Sequence, residues 1–390
     1  MTSEEKLDRL RLARAEGIGP VAFRKLIKRY GSAAAAIAAL PGLARAGGLS
    51  HAPRVPSRGA AEAEVAAIEK AGGRLLAWGQ EGYPPLLALM GDAPPVLAVL
   101  GDMAVLSEGG VAIVGGRNAS ANGQRIAEEL AGEIAAAGLP VVSGMARGVD
   151  AAAHKGALEK GRTVAAVAGG LDVPYPPQHR GLQAQIAASG AVVTEAAPGT
   201  QPQARHFPRR NRIIAGLALG VVVIEAAPRS GSLITARLAL EAGRELYAVP
   251  GSPLDPRTRG SNDLIRQGAH LTETAADVLE HLPSAPTAAE RVPLYPLKRP
   301  PPGETWATPS VPPWAAAGAI EAAEDPGEMP AARKQILELL DSSPTTVDEL
   351  VRRCHFSAAA VNAVLLELEV AGRVELLPGD RVIVRSGIRG

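Results

Sequence analysis

The chain has 390 residues, 46% of them apolar and 21% charged, enough for two or three domains with a sizeable core. Its 41 Lys and Arg stand against 40 Asp and Glu, which excludes a general polycation, so that any nucleic-acid site must be a local patch. The single Cys354 excludes an intramolecular disulfide framework and a Cys-rich zinc site, and the start shows no signal peptide and the chain no apolar run of about twenty residues, so a soluble cytoplasmic protein is expected, with no membrane span.

Residues 1–72 read as a helical domain. Leu10, Ala13, Val21, Phe23, Leu26, Ile27, Tyr30, Ile37 and Leu40 recur at helical spacing. Between two of these helices lies Gly17-Ile18-Gly19-Pro20. Such a turn is either a plain helix hairpin or the core of a helix-hairpin-helix module, whose amides hold a DNA phosphate.

Residues 73–282 alternate strand and helix. Val111–Gly115, Pro140–Ser143, Thr163–Ala168, Ala191–Thr194, Val221–Glu225 and Glu245–Val249 are short β-branched runs, and Arg74–Trp78 and Pro95–Leu100 extend the set. Helical stretches such as Ala121–Ala137, Ala151–Glu159, Asn211–Leu219 and Leu233–Ala242 separate them. The pattern predicts an α/β fold, a Rossmann-like, doubly wound, mostly parallel sheet. Residues 283–330 are Pro- and Ala-rich without periodicity and read as a linker. Residues 331–390 follow a winged-helix pattern: helices at Ile336–Leu340, Thr346–Arg352 and Ser357–Ala371, then a hairpin, Arg373–Leu377 and Arg381–Val384, around Pro378-Gly379-Asp380.

Ligands of open α/β sheets bind beyond the carboxyl ends of the strands. Here those ends are glycine-rich: Gly115-Gly116-Arg117-Asn118-Ala119-Ser120, Ser143-Gly144, Gly169-Gly170-Leu171-Asp172 and Pro250-Gly251-Ser252, with Ser230-Gly231-Ser232 after Glu225. Bare backbone and helix amino termini make such an edge a phosphate-binding crest. A dinucleotide fingerprint is missing, because the second strand ends in Ser143-Gly144 without a ribose-binding carboxylate and Arg117 projects where a pyrophosphate needs backbone. No Walker motif occurs, and no nucleotide cofactor or metal is expected.

One segment stands out: His206-Phe207-Pro208-Arg209-Arg210-Asn211-Arg212, just before the apolar run Ile213–Leu219. An aromatic ring beside guanidinium groups offers a single nucleic-acid strand stacking for a base and charge for phosphates. The alternative is that these arginines cap a helix and pair with Glu225 or Asp172. Asp150 and His154, four apart on one helix face, could join Glu195 and Glu225 in an acid/base set for N-glycosidic cleavage; the alternative is a helix cap and a locally bonded imidazole.

Together these residues resemble the DprA/Smf family of DNA-processing proteins. The matching series runs from Tyr83-Pro84 through Val111–Arg117, Ser143–Asp150 with His154, Tyr175-Pro176, Phe207–Leu217, Glu225, Ser230–Ala236 and Val249–Gly251 to Ala269. The resemblance implies a single-stranded-DNA-binding protein that protects incoming DNA and loads the RecA recombinase in natural transformation or recombination. It implies no catalysis, no cofactor and a homodimer through the Rossmann-like domain. Carried onto this sequence, the strand-binding site comprises Gly115, Gly116, Arg117, Ser120, Ser143, Gly144, Arg205, Phe207, Arg209, Arg210, Asn211, Arg212, Gly231 and Ser232. Arg117 and Arg212 would grip phosphates, Phe207 would stack on a base, and Asn211 would bond a base edge or fix the loop. Two departures stand out: Ala204 and Arg205 occupy the place of the family's usual Lys, with Arg205 the candidate substitute, and Gly116 replaces a usual Thr or Ser.

The third winged-helix helix carries Glu367 and Glu369, with Asn362 its one plausible base reader, so that domain is expected to bind protein, or another part of this chain, rather than duplex DNA. A different class of function stays open beside the mediator: a nucleotide phosphoribohydrolase on a related fold, suggested by Gly231-Ser232-Leu233-Ile234-Thr235, although the fuller Pro-Gly-Gly-x-Gly-Thr loop is absent.

Overall fold

The structure, a computed structural model, describes residues 1–283, 328–340, 343–354, 356–377 and 379–385. The expected linker lies almost wholly outside the described residues. The chain divides into two compact units: residues 58–283, and residues 2–57 together with the described residues from 328 on.

The second unit begins with α1 (Ser3–Ala13), α2 (Pro20–Tyr30) and α3 (Ala33–Ala46). Thr2 and Ser32 cap α1 and α3 by accepting amides of the first turn, and Pro20 starts α2 where its missing N–H costs nothing. Leu10, Leu12, Phe23, Leu26 and Leu40 form the apolar centre of the three helices.

The central unit contains α4 (Arg58–Lys70), β1 (Gly73–Ala77), α5 (Pro85–Ala88), β2 (Val96–Gly101), β3 (Gly110–Gly115), α6 (Ala121–Ala136), β4 (Val141–Ser143), α7 (Val149–Lys160) and β5 (Thr163–Ala166). It continues with α8 (Arg180–Ser189), β6 (Ala191–Thr194), α9 (His206–Leu217), β7 (Ala218–Ile224), α10 (Gly231–Glu241), β8 (Glu245–Ala248), α11 (Arg259–Arg266), β9 (His270–Leu271) and α12 (Ala275–His281). The nine strands make one sheet in the order β1-β2-β6-β5-β4-β3-β7-β8-β9. From β6 to β9 every pairing is parallel, while β2 runs antiparallel to both β1 and β6.

A parallel sheet must be covered on both faces, and alternate residues of β3 show how. Ala112 and Val114 face a layer holding Ile213, Ile214 and Leu217 of α9 and Ala236 and Ala239 of α10. Val111 and Ile113 face Leu130 and Ile134 of α6, Ala153 and Ala157 of α7 and Val278 of α12. The mostly parallel Rossmann-like sheet expected from the sequence is the observed architecture. Helix α4 packs with the central unit, where its Ile68 is buried beside Gly73 and Leu171. One helix boundary differs from expectation. Helix α9 starts at His206 rather than Asn211, because proline is tolerated in a first helical turn and Pro208 therefore does not stop it.

Helices α13 (Glu328–Leu339), α14 (Val347–Cys354) and α15 (Ala358–Val370) complete the second unit with strands β10 (Thr345–Thr346), β11 (Val374–Leu377) and β12 (Arg381–Val384). The strands form an antiparallel sheet in the order β10-β12-β11, the wing of a winged helix. No helix among the described residues is long and apolar enough to cross a membrane.

Candidate nucleic-acid interface

The parallel strands deliver their carboxyl ends to one edge of the sheet, where three non-glycine residues take the left-handed backbone conformation: Met145 (φ 58°), Glu225 (φ 49°) and Arg229 (φ 67°). Such backbone costs about 1–3 kcal/mol per residue and persists where surrounding bonds hold it. At Glu225 those bonds are visible. Its carboxylate accepts the Ser120 amide (2.7 Å) and the Ser120 hydroxyl, and the same hydroxyl accepts the Gly123 amide at 2.9 Å to cap α6. Ser120 therefore ties β7 to α6.

The arginine cluster splits in two at residue 210. Arg210 is buried, and its Nη1 donates to the carbonyls of Gly144 (2.5 Å) and Ala166 (2.7 Å), joining the ends of β4 and β5. A Cβ on Gly144 would stand 1.9 Å from that nitrogen, so the glycine makes the close approach possible. Burial lowers the Arg210 pKa to about 10, which leaves the group charged at neutral pH, and its Nε has no hydrogen-bond partner among the described residues. Asn211 donates to the Gly231 carbonyl at 3.1 Å and so holds the amino terminus of α10. Arg212 is buried as well; it donates to the Asp92 carbonyl, pairs with Glu195 and lies 3.9 Å from the Asp92 carboxylate.

This corrects the expectation that Arg212 grips a phosphate: helical periodicity turns it inward, and Glu195 and Asp92 neutralise it. The expectation that the arginines pair with Glu225 or Asp172 is corrected with it, since Glu225 holds Ser120 and Asp172 accepts the Gly199 amide at 2.9 Å. Ser143 is fully buried, with its hydroxyl donated to the Ile113 carbonyl at 2.6 Å, and so cannot meet a ligand.

The first turn of α9 and the loop after β3 are open. Arg117, Arg205 and Arg209 are exposed, with Arg209 3.8 Å from Glu195 and Arg205 at the amino-terminal cap of the helix. The Arg117 guanidinium lies over the Phe207 ring, 4.7 Å from its centroid. Tyr175 meets the same ring at 5.6 Å and 56°, and is 44% exposed. Two clefts flank this ridge. One, of about 450 Å³, is lined by Gly115, Gly116, Asn211, Gly231, Ser232 and Arg257; the other, of about 210 Å³, by Gly144, Arg147, Tyr175 and Gln178. Arg117 and Phe207 line both. Tyr175, Arg147 and Arg257 were not singled out as site residues from sequence. Tyr175 and Arg147 stand in the series that resembles the family, which is the signal the sequence offers for them; for Arg257, in the loop before α11, it offers none.

The acid/base set is not assembled. His154 is fully buried, its Nδ1 2.7 Å from the Thr163 hydroxyl. That hydroxyl donates to the Val141 carbonyl (2.7 Å), so it accepts from Nδ1–H, and Nε2 has no partner among the described residues. Burial, with Arg210 and His179 nearby, lowers its pKa to about 3 and keeps the ring neutral. Asp150 accepts the Ala146 amide at 3.2 Å; burial raises its pKa against the pull of Arg210. Glu195 and Glu225 hold Arg212 and Ser120. Among the described residues no three His, Cys, Asp or Glu side chains could hold a metal ion together.

Comparison with known proteins supplies the family. The model of DNA recombination-mediator protein A matches residues 74–283, that of the DprA-like N-terminal HHH domain residues 3–67, and that of the DprA winged helix domain residues 320–380. The chain belongs to the DprA/Smf family. Protein Smf of Escherichia coli (strain K12) is 34% identical over 326 residues, 83% of this chain and 81% of its own. The X-ray structure of DprA from Streptococcus pneumoniae superposes with a TM-score of 0.61 at 33% identity, covering 72% of this chain and 99% of that one. DprA from Helicobacter pylori, a structure described for its single-stranded DNA binding mode, matches with a TM-score of 0.50 at 29% identity over 54% of this chain and 95% of its own.

Proposed function

We propose that this DprA/Smf protein binds single-stranded DNA along the crest, with the Arg117–Phe207–Tyr175 ridge as its centre. The observation that carries this reading is the exposed guanidinium stacked on an aromatic ring between two clefts. A strand crossing from one cleft to the other finds aromatic faces for its bases and Arg117, Arg205, Arg209 and Arg257 for its phosphates. This needs no sequence-specific contact, because every base has a π-face. Buried Arg210 and Asn211 shape the walls, and the amino terminus of α10 at Gly231-Ser232 adds amides. The mode described for the Helicobacter pylori relative supports the same class of ligand.

The finer role is a recombination mediator: the protein protects a single strand and delivers it to a RecA-type recombinase, in transformation or general recombination, from the cytoplasm and without catalysis. A homodimer through the central unit fits the exposed Leu240, Leu271 and Leu279 near the β8–β9 end of the sheet. Fluorescence anisotropy with a labelled oligo-dT across a salt series, with duplex as competitor, tests the binding. Preferential single-strand affinity that falls with salt supports it. Indifference to single strands, or release of free base from a nucleotide, would move the crest to a small phosphate ligand and revive the phosphoribohydrolase.

A further inference from the structure

Independently of the crest, the second unit brings together the two features of this sequence that most resemble duplex-DNA-binding elements: the Gly17-Ile18-Gly19-Pro20 turn and helix α15 of the winged helix. They meet each other. A Cβ on Gly17 would lie 3.5 Å from the Val370 carbonyl, at the end of α15. A Cβ on Gly47, which ends α3, would lie 2.2 Å from the Glu367 carbonyl and 2.6 Å from the Ala371 Cβ. Val21 of α2 packs into the winged helix's apolar cluster with Val361, Leu365 and Leu368.

The composition of α15 agrees with a buried role. Every residue from Ala360 to Val370 except Asn362 is buried, and a helix that is apolar on all sides is an interior helix. Its two carboxylates are buried against neighbouring elements. Glu367 pairs with Arg333 of α13 at 2.5 Å, and Glu369 accepts the Leu376 amide of the wing at 3.4 Å. Asn362, the one base reader the sequence offered, donates to the Ala358 carbonyl (2.9 Å) and accepts from Lys25 of α2 (3.3 Å).

We propose that α15 is an intramolecular docking surface for residues 2–57, so that this helix cannot enter a duplex groove while docked. Reading a groove with α15 would first require undocking, which exposes the apolar seat around Val21 and breaks the Lys25–Asn362 bond.

Gly47 offers a selective test, since its φ of −71° suits any residue and a side chain there disturbs only the contact. Gly42, on the same helix with nothing within 4 Å of an added Cβ, is the control. In the full chain, Gly47→Gln should speed amide exchange across residues 358–370 by about tenfold or more, while Gly42→Gln leaves it unchanged. Equal protection in both variants would overturn the proposal. Exchange of the wild-type chain with and without excess duplex DNA provides a second test that needs no variant. Unchanged rates at residues 358–370 are expected, and their protection by duplex would overturn the docking role. Oligo-dT affinity should be the same in both variants, which separates this result from any failure of the crest.

Discussion

The first and second turns of α9 carry the same kinds of residue in different surroundings. Phe207 and Arg209 open onto clefts and solvent; Arg210 and Arg212 point into the molecule, one joining the ends of two strands and the other held by Glu195 and Asp92. A single step along the helix, about 100° of rotation, separates Arg209, available to a ligand, from Arg210, which holds the platform. The difference teaches that a run of arginines is not a uniform electrostatic patch: exposure assigns each guanidinium to binding or to structure, and substitutions should separate the two.

The largest effect is expected inside. Arg212→Ala removes the partner of Glu195 and of the Asp92 carbonyl, and stranding such groups typically costs about 3 kcal/mol or more. Denaturant unfolding should show that loss. An unchanged unfolding midpoint would mean that the buried pair does not hold the platform.

Two buried groups, one in each unit, should carry pH slopes of opposite sign. His154 in the central unit has its pKa lowered from 6.5 to about 3, so between those values the unfolded chain binds the extra proton and stability rises with pH. Glu369 in the second unit has its pKa raised from 4.5 to about 7 by burial, against Lys25 and Arg385 and with help from Glu375. Between 4.5 and 7 the folded state binds the extra proton, so this contribution is present at low pH and lost as pH rises through 7. His154→Gln should flatten the first slope and Glu369→Gln the second, read from segment-resolved hydrogen exchange as a function of pH.

On the open side the effects are smaller. Arg117→Ala should weaken oligo-dT binding and reduce its logarithmic salt slope by about 0.7, as for one phosphate contact on a single strand. Arg209→Ala should change the slope in the same direction by less, since Glu195 lies 3.8 Å away and already competes for its charge. A larger effect from Arg209 than from Arg117 would shift the strand's path toward Glu195.

Much of the crest was legible because it depends on local chemistry. β-Branched runs marked β3 through β8, glycine follows those of β3, β4, β5 and β8, and Gly115-Gly116-Arg117 and Phe207 announced themselves by type and place. What was not legible depends on partners distant in sequence. Nothing local says that Arg212 will find Asp92, 120 residues earlier, or that Arg210 will reach carbonyls 66 and 44 residues away. The start of α9 was misplaced because Pro208 reads as a breaker until it sits in a first turn. Nor does anything local pair Glu367 with Arg333 or Glu369 with the wing amide of Leu376, since both partners lie on other elements.

The central claim is that the open ridge, and not the buried arginines, contacts the strand. Oligo-dT anisotropy with Phe207→Ala tests it most directly. A loss of roughly 1–3 kcal/mol in affinity, with unfolding unchanged, is the predicted result. Affinity equal to the wild type in a folded Phe207→Ala protein would contradict it.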